Sequence, residues 1–261
     1  MVRSWLAQPH SGAAEVAGLA VLYGVYEVVR GVGGEDYAAA FAHTREIVEL
    51  EQSLGVFAEQ GIQRAAENVG LLPPLLGLAY VAFHFLGTAL ALVWVHRRHP
   101  SHFPIVRTTL IASTAFALVG YILYPAAPPR LADLGFSDTV SSATGLNLSS
   151  DLLGSLYNPI AAVPSLHFGY ALIVGVAVAA LARRAWVRTL GWLYPVAMLG
   201  IIVATGNHFF LDAAAGGLVV VLGWITARSL VAVSVRRTAL PQVVGAPAGS
   251  VAAGRSTPTT R

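Results

Sequence analysis

The sequence predicts an all-α membrane protein, a polytopic bundle of six transmembrane helices with an external amphipathic helical segment. Three observations predict it. The 261 residues are 56% hydrophobic and only 11% charged, where an ordinary soluble domain is about 25% charged. Mean hydropathy is +0.66. The apolar residues are also gathered into stretches that reach the roughly 20 residues a helix needs to cross a bilayer. The composition excludes several chemistries as well. All 16 basic residues are Arg, with no Lys and no Cys. This rules out lysine Schiff bases, phosphate-loop lysines, disulfides, thiolate nucleophiles and cysteine-ligated metals.

The spans follow in order. Residues 13–29 form the weakest, because Glu15 and Glu27 interrupt it. A cleaved signal peptide is the rival reading, but acids bound the apolar core and no small-x-small cleavage site follows. Residues 68–95, 108–129, 152–182 and 189–211 lack Asp, Glu and Arg apart from Asp151 just outside the third and are plain spans. The sixth, 213–235, contains Arg228 near its end, where a long side chain can snorkel to the interface. Together residues 1–238 read as one membrane domain. Residues 239–261, rich in Pro, Gly, Ser, Thr and Ala without periodicity, read as a disordered cytoplasmic tail.

Charge orients the bundle. Arg97, Arg98 and Arg107, then Arg183, Arg184 and Arg188, then Arg236, Arg237, Arg255 and Arg261 lie in segments without acids. The positive-inside rule makes these segments cytoplasmic, with both termini inside and the enzyme in the cell membrane. Segment 31–72 carries seven acids, Glu35, Asp36, Glu46, Glu49, Glu51, Glu59 and Glu67, against Arg45 and Arg64, and is external together with 125–164. Within it Ile47, Leu50, Leu54, Phe57 and Ala58 recur at helical spacing between polar residues, which predicts an amphipathic helix capping the bundle. A partner-binding or merely connecting helix is the plainer reading. Whether segment 36–60 gates substrate entry is left open.

Three polar clusters fall at external ends of spans: Tyr124-Pro-Ala-Ala-Pro-Pro-Arg130, Val163-Pro-Ser-Leu-His167 and Gly206-Asn-His208-Phe-Phe-Leu-Asp212. Ionisable residues at membrane depth are functional candidates. His208 and Asp212, four apart, share a helix face if the last span begins near His208. The carboxylate can then fix one imidazole nitrogen and leave the other free to attack. Pro164 and Ser165 suit the first turn of a helix, whose exposed N–H groups favour an anion beside His167. The Arg130 guanidinium suits a pair of phosphoryl oxygens. These parts amount to a phosphoryl-transfer site with catalytic His208, Asp212 and His167, substrate-binding Arg130, Ser165, Asn207 and Asp138, and no need of a metal or cofactor. The partners implied are a lipid phosphate and a polyol or lipid alcohol, with no nucleic acid.

Pro-Ser-Leu-His167 and His208-x-x-x-Asp212 resemble, in order, two motifs of the type-2 phosphatidic acid phosphatase superfamily. With Pro-Pro-Arg130 and Gly135-Phe-Ser-Asp138-Thr139, the chain from about Tyr23 to Gly217 is most similar to the branch of fungal inositol phosphorylceramide synthases and their bacterial relatives. That resemblance implies a phosphohistidine on His208, orientation by Asp212, and His167 as acid and then base. It also exposes departures. Leu123 stands where the wider superfamily has Lys, and Ile201-Ile202 where it has Ser-Arg. Arg130 and the helix terminus then carry more of the phosphate charge, unless Arg45 or Arg64 folds in.

The expected activity is transfer of a phosphorylated headgroup to or from an alcohol such as inositol at the external face. A lipid phosphate or polyprenyl diphosphate phosphatase is the alternative, and a transporter or scaffold ranks below both. His96, His99 and His102 read as interfacial residues of an Arg-rich loop. Tyr80 and His84 share a face of the second span and read as a buried hydrogen bond rather than catalysis. Glu27 reads as a local partner of Arg30 or a headgroup contact.

Overall fold

The computed structural model describes residues 10–32, 36–144 and 160–239. Among them every regular element is helical, and a single parallel bridge joins Ala126 to Ala161. In chain order the helices are α1 (Gly12–Val32), α2 (Tyr37–Ser53), α3 (Glu59–Glu67), α4 (Leu72–Ala82), α5 (Thr88–Arg98), α6 (Phe103–Leu123), α7 (Thr139–Thr144), α8 (Leu166–Leu181), α9 (Ala185–Ala204) and α10 (Phe210–Ala239). A π-helical turn, Phe83–Gly87, fuses α4 to α5.

Four helices are long and apolar enough to cross a membrane: Leu72–Arg98, Phe103–Leu123, Ala185–Ala204 and Phe210–Val233. Two shorter apolar helices among the described residues, Gly12–Val21 and Leu166–Leu181, fall at the other two of the six expected spans. The second is short for a local reason. Ser165 caps α8, its hydroxyl accepting from the Phe168 N–H at 3.3 Å. The helix therefore begins at Leu166 rather than near 152, and residues 152–159 lie outside the described ones. Its 16 residues make about 24 Å at 1.5 Å per residue, short of a roughly 30 Å hydrocarbon core. The 240–261 part of the tail and the side chains of Glu27 and Arg30 also lie outside the described residues.

Large apolar side chains face outward, among them Leu75, Leu90, Leu123, Trp192, Val196 and Leu218. In lipid that surface carries no penalty, so helix association rests on close fit between small residues. A Cβ at Gly175 of α8 would stand 2.5 Å from the Gly191 carbonyl oxygen of α9. The backbones touch there because neither residue has a side chain.

Glu15 in α1 is buried by an ion pair with Arg107 in α6, the two side chains being 6% and 1% exposed. The acid that weakened the first span is thus the contact that fastens it. Removing one partner strands the other charge, which costs about 3–5 kcal/mol. Arg107→Met should therefore lower unfolding stability in detergent by roughly that much. Glu15→Gln with Arg107→Met should recover part of the loss, measured by chemical denaturation.

The segment expected to be external is two helices rather than one amphipathic run. Leu54 caps α2 and Gly55, at φ +69°, turns the chain in a left-handed conformation that glycine adopts without steric cost. Leu50 and Leu54, expected on the apolar face, are 49% and 59% exposed. The buried stripe of α2 is Ala40, Thr44, Ile47, Val48 and Glu51, and that of α3 is Glu59, Gln63 and Ala66. Their polar members clamp the 125–138 loop. Thr44 Oγ1 lies 2.9 Å from the Ala127 carbonyl oxygen and 3.0 Å from the Ala127 N–H. Gln63 donates to the Ser137 carbonyl at 2.9 Å and accepts from its N–H at 3.1 Å. At the loop's start the Tyr124 hydroxyl donates to Glu46 at 2.9 Å. Burial first, then that carboxylate, pushes its phenol up to about 12.

Candidate active site

The end of α6, the starts of α8 and α10 and the end of α9 meet on one side of the bundle, opposite the Arg-rich turns. The end of α9 begins the site. Thr205 closes the helix and Gly206 reverses the chain at φ +66°. His208 follows in that turn, two residues before α10 rather than on it. Asp212 sits in the first turn of α10, fully buried, and its Oδ2 accepts from the Phe209 N–H at 2.9 Å and meets His208 Nδ1 at 3.2 Å. The acid that caps the helix is thus also the one that holds the imidazole. An Nδ1–H donated to Asp212 leaves Nε2 as the ring's lone-pair nitrogen.

The start of α8 is tied to the same turn. The Ser165 N–H donates to the Asp212 carbonyl at 2.9 Å. A Cβ at Gly216 would collide with the Ser165 backbone, so the close approach of α10 to α8 requires glycine there. Ser165 itself is buried and occupied as the cap. His167, one residue into α8, has its ring centroid 5.5 Å from that of His208, close enough for one phosphoryl group to touch both.

Arg130 reaches the site through Gly206 and Asn207. Its N–H donates to the Gly206 carbonyl at 2.9 Å, and its Nε donates to Asn207 Oδ1 at 2.8 Å. Asn207 is held in turn by Thr205 Oγ1 at 2.9 Å. Asp138 lies 3.6 Å from Arg130 Nη1 and accepts from Ser141 Oγ at 2.8 Å. Asn207 and Asp138 are therefore placed to orient the guanidinium rather than to face a substrate alone.

The profile of the PAP2 superfamily matches residues 45–226, a stretch that holds all of these side chains. The chain belongs to the PAP2 superfamily. Among its described residues, four helices are long and apolar enough to cross a membrane. This PAP2 chain is 32% identical over 127 residues to the phosphoinositol dihydroceramide synthase of Bacteroides thetaiotaomicron, a match covering 41% of the chain and 39% of that relative. It thus aligns to about two fifths of the relative's length. No solved structure matches the chain significantly.

Tyr80 and His84, read from the sequence as bundle residues, lie instead against His167. The Tyr80 ring stacks on His167 at 4.1 Å and its hydroxyl is 3.5 Å from His167 Nδ1. His84 packs on His167 at 4.0 Å and stacks on Tyr170 at 5.2 Å. His84 Nδ1 is buried without a hydrogen-bond partner among the described residues. The π-helical turn that carries His84 has no sequence signature, but such turns gather at functional sites. A polar pair at spacing four inside an apolar span was the available signal.

The positions where the wider family has cations turn away. Leu123 is 74% exposed on the outer surface, whereas Ile201 and Ile202 are buried against Met198 and Tyr80. Neither proposed substitute folds in: Arg45 is exposed, and exposed Arg64 pairs with Gln60 at 2.8 Å. Their helices turn those positions outward while burying Glu51, Glu59 and Gln63.

Proposed function

We propose that this PAP2-superfamily chain transfers a phosphorylated headgroup between a membrane lipid and an alcohol, through a phosphohistidine on His208. The observation that carries the proposal is the buried Asp212–His208 hydrogen bond facing His167. His208 Nε2 attacks phosphorus, forming an N–P bond as the bond to the leaving oxygen breaks, and His167 gives that oxygen its proton. The acceptor hydroxyl then loses its proton to His167 and attacks phosphorus, releasing His208. Arg130 binds the charged phosphoryl oxygens throughout. Inositol as the headgroup alcohol and a ceramide-like acceptor are favoured by the relative's name. A cell-membrane location with the site outward and both termini inside is supported by the Arg-rich turns at the opposite end.

The test is purified protein with labelled phosphatidylinositol in micelles, alone, with free inositol, and with dihydroceramide. Product formation that depends on an added alcohol is expected. Phosphate release that ignores the acceptor would assign a phosphatase, and no turnover of any lipid phosphate ester would sink the reading.

A further inference from the structure

The N-terminus of α10 is gripped by carboxyls from outside the bundle. The Leu211 N–H donates to Glu51 Oε1 at 2.7 Å, and the Phe210 N–H donates to Glu59 Oε1 at 3.0 Å. Glu59 Oε2 accepts from the Ala58 N–H at 2.9 Å. Both residues are fully buried. Glu51 Oε2 is the odd atom, buried and without an N–H or O–H donor among the described residues. An ionised oxygen there would be desolvated and unpaired, whereas a protonated one can donate to Glu59.

The charged groups facing Glu51 are Glu59 from α3 and Asp212 from α10, with His208 on the far side of Asp212. Three ionised carboxyls would set three negative charges against a helix terminus worth roughly half a positive one. We propose that Glu51 is a positioning residue that holds a proton: neutral and shared with Glu59, it anchors the first turn of α10 and keeps Asp212 in register with His208. The proposal rests on the phosphohistidine reading.

Burial first, then the hydrogen bond and charge of Glu59, push the Glu51 carboxyl from 4.5 up to about 8. The folded value lies above the ordinary one, so the neutral form is present below about pH 8 and lost as pH rises through it. Ionised, Glu51 repels Glu59 and Asp212 together, and the turn carrying the dyad loosens.

Glutamine imitates the neutral form, since its carbonyl accepts from Leu211 and its amide donates to Glu59. The test is the pH profile of kcat for the full chain with phosphatidylinositol and dihydroceramide in micelles, alongside trapping of phosphohistidine by an alkaline denaturing quench. Wild type should lose kcat as pH rises through about 8. Glu51→Gln should keep its neutral-pH kcat within about threefold and lose that alkaline limb. Glu51→Ala should lower kcat about 10²-fold with KM little changed, as a misplaced dyad requires. The infrared band of a protonated carboxyl should vanish in Glu51→Gln. An unchanged alkaline limb in Glu51→Gln, or a carboxyl band that persists there, overturns the proposal while wild type still traps phosphohistidine. Wild type that traps none overturns the phosphohistidine reading instead.

Discussion

His208→Ala should abolish turnover, lowering kcat by about 10⁴-fold or more and leaving no acid-labile phosphate on the protein. Removal of a covalent nucleophile from a dyad that acts as a unit typically costs that much. The substitution should cost little stability. His208 is buried and meets Asp212 at 3.2 Å, but Asp212 Oδ2 keeps the Phe209 N–H as a donor at 2.9 Å when the imidazole is gone. The helix cap therefore survives without the ring. Substrate binding should survive too, because Arg130 is held by Asn207 and the Gly206 carbonyl, not by His208. Loss of kcat with an intact melting profile and retained lipid binding would separate a nucleophile from a scaffold residue. Full turnover by the variant would overturn the mechanism.

The dyad was legible in the sequence because its parts are only four residues apart, although the turn before α10, and not a shared helix face, sets His208 against Asp212. Legibility stopped where contact depends on packing between distant segments. His167 to His208 spans 41 positions (208 − 167), and their convergence was inferred only from both lying at external ends of spans. Asn207 and Asp138 look like ligands in a one-dimensional reading, since polar residues beside a motif face nothing yet. In three dimensions Asn207 accepts from the Arg130 guanidinium, and Asp138, held by Ser141, lies 3.6 Å from it.

The acids of segment 31–72 give the sharper lesson. Amphipathicity assigns charged residues to the wet face and apolar ones to the core. That rule misplaces Glu51 and Leu50, because the partner of α2 is a helix terminus and a loop rich in unpaired backbone groups. Buried N–H groups need acceptors more than they need methylenes. The start of the fourth expected span moved for a related reason. Hydropathy counts apolar residues continuously, whereas a serine cap at 165 decides where α8 can begin.

Arg130→Ala should lower kcat/KM by about 10³-fold, the upper end for loss of one donor to a developing oxyanion. Two features place it at that end. The chain has no Lys at all, and the two positions where the wider family carries cations hold Leu123 and Ile202, neither of which presents charge. Among the described residues Arg130 is the cation tied to the His208 turn, and it then carries electrostatic work that several would share. Arg130→Lys restores the charge but not the planar fork, so a single Nζ must serve both Asn207 and the phosphate. It should regain about tenfold of the loss and no more, since orientation rather than charge alone is missing. Asn207→Ala removes that hold while leaving the guanidinium, and should cost about tenfold, expressed mainly in KM. Steady-state kinetics across the three variants decides the matter. If Arg130→Lys matched wild type, the Asn207 hydrogen bond would have no catalytic consequence and any point charge would serve. If Arg130→Ala lost less than Asn207→Ala, the phosphate would be held elsewhere, and the burial of Arg130 beside Asp138 would be a structural ion pair only.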